Sequence, residues 1–178
     1  MRTVAPTDSQ ESAQQSQQIP QAVHPVNADR SGTDNMQMEM LKIQGLLVPH
    51  YVVPIKGDGS CLFRALSFLI FNSQEQAPLV RRKIVQLVAS DWHTFRTLSH
   101  DAYGDNYRSS ADYLEEMSQP FCYGGYCELM AAARIYNFRF EVFRSGELYA
   151  DAGNHGRPVR RLRFTEDLSS GHFDAYVP

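Results

Sequence analysis

The stretch CLFRALSFLIF, residues 61–71, follows directly on a glycine turn, KGDGS. Leu62, Phe63, Ala65, Leu66, Phe68, Leu69 and Ile70 are apolar nearly all the way round a helix drawn through it. A helix with no polar face belongs in the middle of a protein, so the rest of the fold has to be wrapped around this segment. With 178 residues the chain is long enough for one ordinary domain with a real core to do so.

The wrapping elements can be read in order. PLVRRKIVQLVASDWHTF (78–95) reads as one helix with Val80, Ile84, Leu87 and Val88 on one face. SADYLEEMSQP reads as a third, short helix, with Ser109 and Asp112 as a variant capping box. GGYCELMAAARIYN reads as a fourth, its alanines allowing close packing. Strands follow: FRFEVF (138–143) alternates strictly, RSGE turns into LYA, and VRRLRF (159–164) and HFDAYV (172–177) complete a sheet. Helices first and strands after predict an α+β fold with an antiparallel or mixed central sheet packed by helices.

Ahead of this domain, residues 1–35 contain no Phe, Tyr or Trp and are rich in Gln, Ser and Pro. Such a composition buries too little apolar surface to offset the entropy of ordering. Residues 1–40 are therefore expected to be a disordered tail and 41–178 the folded domain, with NMQMEMLKIQGLL (35–47) as a short amphipathic helix at the junction. MRTVAPTDSQESAQQSQQ has no apolar h-region, so no signal peptide is expected. ALSFLIF is too short to span a bilayer. A net charge of −3 gives no basic excess for nucleic acid, and the local cluster Arg157, Arg160, Arg161 and Arg163 reads as a solvated strand and loop edge.

Three cysteines, Cys61, Cys122 and Cys127, do not make a disulfide framework and suit a reducing setting. Cys122 and Cys127 have no second pair of ligands, so they read as packing residues rather than a zinc site. Cys61 could be a packed thiol, a metal ligand or a nucleophile. Its place at a helix start favours the last, because the N-terminal end of a helix stabilises a thiolate. An imidazolium would do the same. In GHFDAYVP, alternation puts Phe173, Ala175 and Val177 on one strand face and His172, Asp174 and Tyr176 on the other. Asp174 could then accept a hydrogen bond from His172 and fix its tautomer. The turn Asp58-Gly59-Ser60, with the free N–H of Cys61, could face an oxyanion. GDGS lacks the later glycine of a dinucleotide loop, and no G-x-S-x-G elbow surrounds Ser60.

DGSCLFRA (58–65), YGGYCELMAAA (123–133) and His172-Phe173-Asp174, in that order, resemble the ovarian-tumour (OTU) domain cysteine proteases, most of which are deubiquitinases. The resemblance covers roughly residues 45–178. It implies a papain-like fold with the nucleophile at the N-terminus of a buried helix. It implies Cys61 as nucleophile, His172 as general base, Asp174 as its orienter, and Asp58, Gly59 and Ser60 as the oxyanion loop. Tyr123, Gly124 and Gly125 then lie at the substrate, with Tyr123 where the family often has Trp. The implied reaction is release of ubiquitin or a ubiquitin-like modifier through a thioester. It uses no metal or organic cofactor, in a monomer of the cytoplasm or nucleus that binds neither nucleic acid nor membrane. A non-catalytic ubiquitin-binding module and a viral or transposon-type processing peptidase are the alternatives. The carboxylates Asp112, Glu115 and Glu116 could pair with the arginine-bearing, basic tail of ubiquitin.

Overall fold

A computed structural model describes residues 37–166 and 171–178. The tail expected over 1–40 lies outside the described residues except for its last four positions. Residues 38–40 of that span belong to a strand. β1 (Met38–Ile43) and β2 (Leu46–Val53) form an antiparallel hairpin where a helix over 35–47 was expected. Gln44 and Gly45 both have positive φ, 51° and 84°, which is the backbone of a tight two-residue hairpin turn. Alternation explains the outcome: Leu41 is fully buried while Met38, Met40 and Lys42 on the other face are not. Gln is an uncommon residue at such a turn, so the sequence carried no strong turn signal there.

α1 (Cys61–Phe71) is the central helix, with Leu62, Phe63 and Leu66 essentially inaccessible to solvent. Burying each contributes about 1.5–3 kcal/mol. A 3₁₀ turn (Gln74–Gln76) leads into α2 (Ala77–Ser90), which has Pro78 in its first turn. The helix expected to run to residue 95 is broken at Asp91, whose φ of −112° and ψ of 45° are not helical. The short α3 (Trp92–Phe95) follows, with the Asp91 carboxylate accepting from the Thr94 hydroxyl at 2.8 Å. α4 (Ser110–Met117) starts as expected, the Ser109 hydroxyl accepting the Asp112 N–H. α5 (Tyr126–Tyr136) ends at Asn137 in the left-handed conformation. Among the described residues no helix is long and apolar enough to cross a membrane.

β3 (Arg139–Arg144), β4 (Glu147–Ala152), β5 (Val159–Glu166) and β6 (Gly171–Val177) join the hairpin in one six-stranded mixed sheet, order β1-β2-β6-β5-β3-β4. Only β3 and β5 run parallel; the other neighbours are antiparallel. One face, carrying Phe140, Val142, Leu162 and Ala175, packs with the helices into the main core. The sheet curls, and its two edges meet where the Lys42 N–H donates to the Gly146 carbonyl at 2.8 Å. The concave face therefore has its own small core of Leu41, Val52, Phe143 and Tyr176. This curl alters the two-face picture of β6. Ala175 is buried as expected, but Asp174 and Tyr176 on the opposite face are buried too.

Of the arginine cluster, Arg157 is exposed as expected, but the other three are not a solvated edge. Arg161 pairs with Glu141, Arg163 with Glu39 and Asp174, and Arg160 donates to the Leu69 carbonyl over the Phe138 ring. Each of these three charges is spent inside the molecule.

Candidate active site

Cys61 is the first residue of α1 and only 3% exposed. The turn before it is built around one carboxylate. Asp58 accepts the Ser60 N–H at 3.1 Å and a two-pronged bond from Arg64, Nη2 at 2.7 Å and Nε at 3.0 Å. The Arg64 guanidinium holds the Asp58 carboxyl below the usual carboxylate range. Gly59 has a φ of +79°, and a side chain there would overlap the Phe121 carbonyl.

Two of the expected oxyanion donors are already engaged. The Asp58 N–H bonds the Lys56 carbonyl at 3.2 Å, and the Ser60 N–H is taken by Asp58. Asp58 and Ser60 thus shape the loop with their side chains, while their amides are committed elsewhere. The Ser60 hydroxyl donates to the Pro120 carbonyl and accepts from Arg81. Arg81 is a residue that sequence reasoning missed, hidden in the apolar face of α2. It is buried, lies 3.9 Å over the Phe63 ring, and donates to the carbonyls of Met117 (3.1 Å), Pro120 (3.3 Å) and Cys122 (2.7 Å). One guanidinium therefore ties the loop before Cys61 to the segment before Tyr123.

The histidine side is built on β6. His172 Nε2 and Asp174 Oδ1 are 3.0 Å apart. A Cβ placed on Gly57 would lie 3.7 Å from His172 Nδ1 and Cε1, so the other edge of the imidazole faces the loop that leads to Cys61. The Cys61 sulfur is within reach of the backbone of Phe173, the residue between His172 and Asp174. The fold thus brings Cys61, His172 and Asp174 to one junction between α1 and β6. Burial pushes the Cys61 thiol up, opposed by the nearby backbone N–H groups of Phe173, Leu62 and Cys61 itself.

Asp174 is itself held on every side. Its Oδ1 also accepts the Ile55 N–H at 2.9 Å, and its Oδ2 lies 3.2 Å from Arg163 Nη1. Arg163 Nη2 pairs with Glu39 at 2.8 Å, and Glu39 accepts from the Tyr176 hydroxyl. These supporting residues come from β1, β5 and the β2–α1 link. No local pattern in the sequence connects them.

A groove of about 750 Å³ is lined by Gly171 and Phe173, the two chain neighbours of His172, while His172 and Cys61 themselves do not line it. Tyr123, Gly124, Tyr149 and Phe164 also line it. Gly124 lies flush on α1: a Cβ would come within 2.9 Å of Leu62 and Phe63. Gly125 heads α5, where its N–H donates to the Glu128 carboxylate at 2.7 Å. Tyr123 is exposed at the rim. The acidic residues of α4 divide. Glu116 is half-buried in the groove wall, while Asp112 and Glu115 are exposed and do not line it. Cys127 is buried and Cys122 half-buried, its sulfur 3.3 Å from that of Met117. His50 is buried on β2 beside Arg161 and Tyr176.

Helices packed on one face of a curled mixed sheet, with a helix-tip cysteine beside a strand-borne His–Asp pair, define a papain-like α+β architecture. More narrowly, the chain belongs to the family of OTU-like cysteine proteases, whose family model matches residues 56–165. A curated relative is the Arabidopsis thaliana "OVARIAN TUMOR DOMAIN-containing deubiquitinating enzyme 9", 28% identical over 126 residues. That match covers 70% of this chain but 34% of the relative, so the chain spans about a third of its length. Among solved structures, the OTUD1 OTU domain aligns with a TM-score of 0.60 at 23% identity, over 72% of this chain and 86% of that one. An OTU domain solved in complex with ubiquitin aligns with a TM-score of 0.58 at 20% identity, over 72% and 70% of the two chains. Both show the shared fold.

Proposed function

We propose that this chain is a thiol-dependent isopeptidase that releases ubiquitin, or a modifier like it, from the lysine amine of a conjugate. The observation that carries the reading is the junction of α1 and β6, where Cys61 lies against the backbone of Phe173, the residue between His172 and Asp174, and Asp174 fixes the imidazole through Nε2. With Nε2 committed to Asp174, Nδ1 is the nitrogen that takes the Cys61 proton. A buried sulfur whose thiol is pushed up rests as the thiol, so proton transfer to His172 creates the nucleophile.

The thiolate attacks the carbonyl of the modifier's C-terminal glycine, and the negative charge moves to the carbonyl oxygen. The Cys61 N–H at the start of α1 and the neighbouring Gly59 N–H are the donors for it, since those of Asp58 and Ser60 are engaged. The imidazolium then gives its proton to the departing lysine amine. Water, deprotonated by the same imidazole, hydrolyses the thioester and regenerates the thiol. The groove past Gly124 is the channel for a narrow glycine-ended tail, and Glu116 is the carboxylate placed to meet an arginine there. Asp112 and Glu115 lie outside it and would act only on the body of the modifier.

The family, the deubiquitinating relative and the ubiquitin-bound neighbour support this substrate class. The test is a panel of di-ubiquitin linkages with wild type and Cys61→Ala. Wild type is expected to cleave at least one linkage and Cys61→Ala none, while both bind ubiquitin. Cleavage by Cys61→Ala would remove the sulfur from the mechanism.

A further inference from the structure

Glu39 and Arg163 are the two charges behind Asp174, and they come from strands outside the His172–Asp174 motif. Glu39 lies on β1, ahead of the residues matched by the family model. Resting on the catalytic reading above, we propose that Glu39 and Arg163 are positioning residues for the acid–base pair. On this view the N-terminal hairpin supplies part of the catalytic machinery.

The geometry has two consequences. Arg163 donates to Asp174 Oδ2 while His172 and the Ile55 N–H occupy Oδ1, so the carboxylate cannot rotate away from the imidazole. An unbalanced guanidinium at that place would also oppose an imidazolium on His172. Glu39, 2.8 Å from Arg163, balances it. The groups facing Asp174 are His172 and Tyr176 on β6, Arg163 on β5, Glu39 on β1, the Ile55 N–H, and Cys61 across α1. Arg161, the next charge along the same face of β5, is paired with Glu141. The sign of each charge in this set is fixed, so the effect of removing one has a direction.

The experiment is the pH dependence of kcat/KM on ubiquitin carrying a C-terminal fluorogenic amide. It is run in parallel with the pH dependence of Cys61 alkylation by iodoacetamide, read from the Cys61 peptide by mass spectrometry. Glu39→Gln makes the site more positive. Both limbs of each profile should move to lower pH by about half a unit. Its kcat should fall about fivefold with KM little changed, the pattern of a group that acts after binding. Arg163→Met should move both limbs the other way. Glu39→Asp and Arg163→Lys should return most of the wild-type profile, and they serve if either charge-removing variant fails to fold. Glu147→Gln breaks the ion pair with Lys42 that also ties the hairpin to β4, without touching Asp174, and should leave the profiles unchanged.

Three results would overturn the proposal: wild-type profiles in both charge-removing variants, shifts of the same sign in both, or the same change in Glu147→Gln. The alkylation arm needs no ubiquitin, which separates this failure from a failure of the catalytic reading. A wild-type Cys61 that alkylates like a free thiol, and identically in His172→Ala, sinks the catalytic reading and the positioning role with it. A profile altered by His172→Ala but unmoved by both Glu39→Gln and Arg163→Met sinks the positioning role alone.

Discussion

The two halves of the site are held by different forces. Cys61 sits at the end of a helix packed into an apolar core, and the loop before it is tied down by Arg64, Arg81 and backbone carbonyls. His172 sits on the concave face of the curled sheet, where the support for its carboxylate is a chain of charges from three separate elements. Packing fixes the nucleophile in place. Ion pairing sets the acid–base group, and that kind of support responds to charge changes that leave the fold intact. The difference predicts that mutations near Cys61 fail mainly by loss of structure, and mutations behind Asp174 mainly by altered pH behaviour.

The largest effect that sharpens the contrast is His172→Ala. The protein should keep its melting temperature while kcat/KM falls roughly a thousandfold or more, as expected for loss of a general base acting with its nucleophile. A loss of stability in step with activity would mean the imidazole is a structural residue. Next comes Arg81→Leu. Removing the guanidinium strands buried carbonyls at Met117 and Cys122, so unfolding should become easier by about 3 kcal/mol in urea titrations. An unchanged midpoint would show that the nucleophile loop does not depend on this hub.

Asp58→Asn should have a smaller effect with a definite pH dependence. The Asp58 carboxyl is held below its usual range by Arg64, so its stabilisation is present above the unfolded carboxylate value of about 4 and fades as pH falls through the lowered folded value. Wild type should therefore be more stable than Asp58→Asn at pH 7, with the gap closing in acid. A gap that persists unchanged at pH 2–3 would locate its origin in packing instead. The smallest effect is that of Glu147→Gln, whose exposed pair with Lys42 should contribute no more than about 1 kcal/mol.

The same division explains what could be read from the chain. The nucleophile half is nearly contiguous: DGSC leads straight into an apolar helix, so turn, cap and buried segment announce one another. His172 and Asp174 are also visible, as neighbours on one strand face. Their supports are not, because Glu39, Ile55 and Arg163 reach Asp174 only through strand register and the curl of the sheet, neither of which leaves a local pattern. Arg163 instead read as part of a basic surface cluster. The hairpin over 38–53 was missed for a related reason. Its inward residues Leu41 and Val52 are few, and their partners Phe143 and Tyr176 come from distant strands. Arg81 was hidden because periodicity marks a buried face by its apolar residues and gives no sign of a charge satisfied there by carbonyls.

The most direct measurement is a reaction with ubiquitin carrying a propargyl group at its C-terminus, followed by peptide mapping of the adduct. A single vinyl thioether at Cys61 is expected, absent from Cys61→Ala and much slower to form in His172→Ala. A protein that stays unmodified while folded, or an adduct formed on Cys122 with Cys61 untouched, would contradict the account.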